Sequence, residues 1–131
     1  MPGRSSAPAT GAALEAKVAQ LARDLGLEVK RQVRVGRRIW GAIRKIDIVA
    51  GDARGRRLGI ECKYQKERGT AEEKIPAIVD DIAAWPIDGI VVFDGGGFSE
   101  NMRTFLISSG KAILFEDLEV WLRLYFGLPL K

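Results

Sequence analysis

The chain has 131 residues, with 21 Lys+Arg, 17 Asp+Glu, no histidine and one cysteine. Lacking imidazole, it has no Ser-His-Asp or Cys-His nucleophile pair and no histidine zinc site, and the lone thiol, Cys62, forms neither an internal disulfide nor a Cys-x-x-Cys pair. Site chemistry is left to carboxylates, Lys, Arg and hydroxyls, and any metal must sit on oxygen ligands.

The length is that of one domain able to bury its own core without staples. The first ten residues, MPGRSSAPAT, carry no apolar signal region and read as a disordered tail before a single domain over 11–131. No run approaches the ~18 apolar residues of a membrane span, so a cytoplasmic protein of a microbial or virus-infected cell is expected, with no membrane partner. Ala13, Leu14, Val18, Leu21, Ala22 and Leu25 recur at helical spacing up to Gly26 and predict a first helix. Residues 28–35 and 43–50 read as strands joined by a loop containing Gly36 and Gly41. GDARGR at 51–56 is a turn, and residues 58–64 are a third strand. Thr70 and Glu73 have capping-box spacing ahead of a second helix, which Pro76 allows to start later. An apolar strand over 89–93 ends at Asp94-Gly95-Gly96-Gly97; this is a turn, since no Gly-Lys-Ser/Thr follows to make a phosphate loop. A short helix over 100–109, a strand over 112–115 and a last helix over 116–126 complete the order αβββαβαβα. That order predicts an α/β fold: a mixed central sheet flanked by helices, its first three strands antiparallel neighbours.

The net charge of +4 conceals an asymmetry. Residues 1–68 hold 16 Lys+Arg against 7 Asp+Glu, and residues 69–131 hold 5 against 10. Lys30, Arg31, Arg34, Arg37, Arg38, Arg44 and Lys45 crowd one stretch that contains no acid. It reads either as a phosphate-contacting surface for DNA, with Trp40 stacking on a base, or as a strand pair kept soluble by charge.

The second and third strands carry the chemistry. Ile46, Ile48 and Ala50 share one parity and Asp47 takes the other; Ile60, Cys62 and Tyr64 share one parity, while Glu61 and Lys63 take the other. Glu61 and Lys63 therefore share a face, and the adjacent strand brings Asp47 beside them. Ionisable groups in a core strand are costly to desolvate unless paired. The partner that suits two carboxylates without His or Cys is a hard divalent cation, Mg²⁺ with Mn²⁺ as a substitute, held by Asp47, Glu61, the backbone carbonyl of Cys62 and water. Such an ion activates water for attack on phosphorus, with Lys63 steering the water or countering charge; Glu15, on the first helix, completes the acidic cluster directly or through water.

Ile46-Asp47-Ile48 followed by Gly59-Ile60-Glu61-Cys62-Lys63, after a helix bearing Glu15, resembles the PD-(D/E)xK nuclease superfamily, with Ile46 where the motif's name has proline. Of the four Glu-x-Lys triplets, only Glu61-Cys62-Lys63 lies in a strand preceded by another with an embedded acid. The resemblance implies a restriction-endonuclease-like αβββαβ core in which Asp47 and Glu61 bind metal, Lys63 assists the attacking water and Glu15 contributes. It also implies that Gln65 occupies a position some members use to complete the site. The small size is similar to that of archaeal-type Holliday junction resolvases, homodimers acting on branched DNA. A restriction-type or repair endonuclease and a non-catalytic DNA-binding module are the alternatives. In the last helix Leu118, Trp121, Leu122, Tyr125 and Phe126 form an apolar stripe that Val120 and Leu124 widen, which suits either a dimer contact or packing on the sheet.

Overall fold

The computed structural model describes residues 10–37, 43–65, 75–95, 100, 104 and 108–130. Thr10, the last residue of the expected tail, starts the first helix: its hydroxyl accepts from the Ala13 N–H at 3.0 Å. Helix α1 (Gly11–Asp24) buries Leu14, Val18 and Ala22, four residues apart, and stops where Gly26 adopts a φ of 87°. Strands β1 (Glu28–Arg37) and β2 (Ile43–Gly51) form an antiparallel hairpin. The turn after β2 is tied by Asp52, whose Oδ1 accepts from the N–H groups of Arg54 at 3.0 Å and Arg56 at 2.9 Å.

Strand β3 (Arg57–Tyr64) pairs antiparallel with β2 and parallel with β4 (Asp88–Asp94), which pairs parallel with β5 (Ala112–Leu114). The spatial order β1-β2-β3-β4-β5 is the mixed sheet expected, with its first three strands antiparallel. Helix α2 (Ile75–Ala83) covers one face; a 3₁₀ turn (Phe115–Asp117) leads into α3 (Leu118–Phe126), which joins α1 on the other. The capping box expected at 70–73 lies outside the described residues. So does most of the helix expected over 100–109, of which Glu100, Thr104 and Ser108 are helical. Among the described residues no helix is long and apolar enough to cross a membrane.

Two apolar layers result. On the α1/α3 side Leu14, Val18, Ile48, Ala50, Leu58, Ile60, Cys62, Ile90, Val92, Leu118 and Leu122 interlock. On the α2 side Ile46, Ile82, Trp85, Val91 and Phe93 do so. The parity reading of β2 is corrected here: Ile46 and Ile48 are both buried, but in opposite layers. Strand β1 switches likewise, with Val29 packing on the α1 side and Val35 on the α2 side. Both changes flank the facing positions Gln32 and Asp47, the pair missing from the ladder between Arg31–Ile48 and Val33–Ile46. Gln32 has a φ of 54°, so regular alternation breaks there.

On the α2 face β3 presents Gly59 beside Gly89 of β4, and the Trp85 indole lies across both. A Cβ on Gly59 would stand 2.8 Å from Trp85 Cε3. Gly59→Ala is therefore expected to lower stability by about 1–3 kcal/mol through overpacking, read as a fall in urea midpoint with an unchanged m-value.

Candidate active site

The site forms where β2 and β3 part. Their pairing runs from Gly51–Arg57 to Ile48–Ile60 and stops, while β3 stays paired with β4 as far as Tyr64–Asp94. The Cys62 N–H, which has lost a strand partner on that side, donates instead to Asp47 Oδ2 at 3.0 Å. The other oxygen, Oδ1, accepts from Gln32 Nε2 at 3.3 Å. Asp47 thus stands at the edge of β3 beside Glu61.

Glu61 and Lys63 open on the α2 side into a cavity of about 470 Å³, whose far wall is Ala77, Ile78, Asp81, Ile82 and Trp85. Burial pushes the Glu61 carboxyl up to about 7, and the Asp47 carboxylate adds to this, against the opposing pull of Lys63. Asp47 is also raised, first by burial and then by Glu15, although the Cys62 N–H and Gln32 favour its ionised form. Two half-buried carboxylates held above their ordinary range mark a place short of positive charge. Oxygen donors in that electrostatic state fit a hard divalent cation, which one or two carboxylates, a backbone carbonyl and water can hold. Among the described residues no group of three or more His, Cys, Asp or Glu side chains is placed to hold a metal, and Asp47 and Glu61 are the carboxylates that the Cys62 junction brings side by side.

Glu15 faces the site but meets it indirectly. Its carboxylate forms an ion pair with Arg31 at 2.9 Å and accepts from Gln32 Nε2 at 3.1 Å, so Gln32 bridges it to Asp47. Gln65 is buried at the end of β3 and its N–H donates to the Asp94 carbonyl; it does not line the cavity. Cys62 is buried in the α1 layer with its thiol pushed up by burial, so the backbone, not the sulfur, faces the chemistry.

The basic stretch divides. Arg31 is committed to Glu15 and Arg44 to Asp81, the latter at 3.0 Å, so these two cations are paired within the protein by acids from outside their own stretch. Lys30, Arg34 and Lys45 are exposed, and Arg34 stands directly opposite Lys45 across the β1/β2 ladder. Like charges so placed repel unless an anion intervenes. Arg37 lies at the end of β1, while Arg38 and Trp40 fall outside the described residues. Sequence reasoning missed Gln32 and Asp81. Asp81 lies far from the motif in the chain, and Gln32 carries no charge to draw notice.

Residues 6–120 match the family model of the PD-(D/E)XK nuclease superfamily domain. The chain belongs to this superfamily. Its five-stranded mixed sheet flanked by helices is the restriction-endonuclease-like fold the motif implied. Nucleases of the superfamily generally use divalent metal ions. No curated protein shows a significant sequence match. Similar solved structures include a repair endonuclease from Pyrococcus abyssi, at 14% identity over 84% of this chain and 48% of that one, with a TM-score of 0.45. Protein VC1899 from Vibrio cholerae matches at 16% identity over 88% of this chain and 32% of that one, with a TM-score of 0.49. The EndoMS-dsDNA2 complex matches at 13% identity, 87% and 49% coverage, and a TM-score of 0.40. The chain spans half or less of the length of each.

The Glu61 carboxyl gives a pH signature. Below its ordinary value of 4.5 it is protonated in both folded and unfolded chains, whereas between 4.5 and about 7 only the folded chain keeps the proton. Unfolding then releases a proton, so in cation-free buffer stability falls as pH rises through that window, by up to about 3 kcal/mol, and levels off above it. Asp47 adds a loss of the same sign that begins lower, from 3.8. Urea unfolding at pH 5 and pH 8 with chelator checks this: Glu61→Gln is expected to flatten most of the difference.

Proposed function

We propose that this protein is a metal-dependent DNA endonuclease that hydrolyses phosphodiester bonds. The observation carrying this reading is Asp47 fixed on the Cys62 N–H beside Glu61, with Lys63 on the same strand face and the cavity in front. Asp47, Glu61 and the Cys62 carbonyl would hold the cation, Mg²⁺ with Mn²⁺ as a substitute. When bound, it supplies Lewis-acid polarisation and positive charge to a phosphodiester. Lys63 orients the attacking water and offsets negative charge on the phosphoryl oxygens as the new P–O bond forms and the opposite one breaks. Glu15 acts from behind, through Gln32.

The exposed Lys30, Arg34 and Lys45 would contact phosphates, which sets position rather than base sequence. Branched DNA, in particular a four-way junction, is the substrate class we favour, since exposed cations on a strand hairpin contact phosphates and so follow backbone shape rather than base sequence. A two-fold substrate suits a homodimer. Val120 and Leu124 on the outer side of α3 are 55% and 64% exposed and offer it a contact. The cellular setting consistent with DNA as substrate and one buried free thiol is the cytoplasm.

Incubation with four-way junction, linear duplex and single-stranded DNA, with Mg²⁺ or chelator, tests the reading. Cleavage is expected only with the cation, and Asp47→Asn and Lys63→Ala are each expected to lower it by at least about 100-fold while DNA binding persists. The Asn amide oxygen still accepts from the Cys62 N–H, so the first variant keeps the strand junction. Preference for linear duplex would favour a restriction-type or repair enzyme over a resolvase, and binding without cleavage in any condition would leave a DNA-binding module. Affinity is also expected to fall linearly in log–log form with salt; a flat response removes DNA as the partner.

A further inference from the structure

Two consecutive residues of β1 reach the same carboxylate on α1. Arg31 Nε donates to Glu15 Oε2 at 2.9 Å, and Gln32 Nε2 donates to Glu15 Oε1 at 3.1 Å. Neighbouring side chains of a strand point to opposite faces, so their convergence requires a break in alternation. The break is at Gln32 itself, whose φ of 54° is left-handed. A residue with a Cβ holds that conformation only where its surroundings enforce it.

The same amide also donates to Asp47 Oδ1 at 3.3 Å. A primary amide has two N–H donors. Both here go to carboxylates, one on α1 and one on β2, at the position where Gln32 and Asp47 leave the β1/β2 ladder. Asp47 is consequently gripped at both oxygens, Oδ2 by the backbone of β3 and Oδ1 by Gln32. A neutral donor orients the Asp47 carboxylate without cancelling its charge, whereas the Arg31 guanidinium neutralises Glu15.

We propose that Gln32 is a positioning residue that fixes the orientation of the Asp47 carboxylate for a divalent cation and ties it to the Glu15–Arg31 pair. The proposal rests on the nuclease reading above. Groups that orient a metal ligand typically contribute about 10–100-fold to metal affinity. Gln32 is exposed, so its side chain adds little to the core and its variants should fold.

The test is calorimetric titration of the full chain with Mn²⁺ alone, for the wild type, Gln32→Gly, Gln32→Met and Asp47→Asn, beside thermal unfolding and cleavage kinetics. Glycine accepts a positive φ without strain but offers no amide, and methionine keeps the length without donors. In both Gln32 variants Mn²⁺ affinity is expected to fall about tenfold. Gln32→Gly is expected to keep a Tm no lower than wild type, and kcat to fall while the KM for DNA holds. A merely structural residue would lower Tm and leave the affinity of the folded protein unchanged. Wild-type Mn²⁺ affinity in Gln32→Gly overturns the positioning role and leaves the nuclease reading intact. Equal Mn²⁺ binding by wild type and Asp47→Asn overturns the nuclease reading, and the positioning role with it.

Discussion

The hydrogen bond from the Cys62 N–H to Asp47 Oδ2 is the joint on which the site turns. Had β2 and β3 continued in register past Ile48–Ile60, Asp47 and Glu61 would have faced each other across a closed ladder. The strands separate instead, and separation orphans a backbone donor at the centre of the sheet, a loss of about 1–3 kcal/mol if left unmet. Asp47 meets it with a charged acceptor. The carboxylate thereby serves as structure and as reagent at once: the bond that lets β2 peel away also sets the acid beside Glu61. The strands on the other side of β3 need no such device, since β4 accompanies it to Tyr64 and keeps Glu61 and Lys63 on a rigid element.

The surrounding charges are distributed around this joint in a way that leaves it anionic. Arg31 is paired with Glu15 and Arg44 with Asp81, so two acids flanking the site are largely neutralised within the protein. Asp47 and Glu61 instead have neutral donors and one nearby lysine, and burial holds both above the ordinary carboxylate range. Folding therefore maintains an unfavourable concentration of negative charge where a cation would relieve it. A structural salt-bridge network would have placed an arginine between the two acids; here the guanidinium groups go to the acids behind and in front of them.

Much of this was legible in the sequence. Glycine stops and β-rich runs located α1, α3 and the described strands to within a residue or two, since each signal is local, whereas the capping box ahead of α2 lies outside the described residues. The Glu61/Lys63 face followed from the two-residue period because β3 is regular, clamped on both sides for half its length. The same rule failed on β2, where it put Ile46 with Ile48 and Ala50. Alternation assumes unbroken backbone, and the break arises from a left-handed Gln32 on the neighbouring strand, held there by contacts to α1 and β2. No local propensity encodes a glutamine in that conformation. The Arg31–Glu15 and Arg44–Asp81 pairs were hidden for a related reason: they join residues 16 and 37 positions apart, so the density of arginines could be counted but not their commitments.

The opposite face shows how a cavity is kept open next to a packed core. Along β3 the residues on the α2 side run Gly59, Glu61, Lys63, while β4 beside it runs Gly89, Val91, Phe93. At the glycine end, missing side chains leave a recess that the Trp85 indole fills, so the chain just beyond α2 sits close against the sheet. Two residues further along β3, the side chains become long and charged, and no indole can be seated over them without stripping their water. The gap between helix and sheet at that end follows from this change in side-chain size and polarity along one strand face. A substrate phosphate entering there would find apolar packing behind it and Lys63 beside the paired acids, an order already written in the alternate residues of β3.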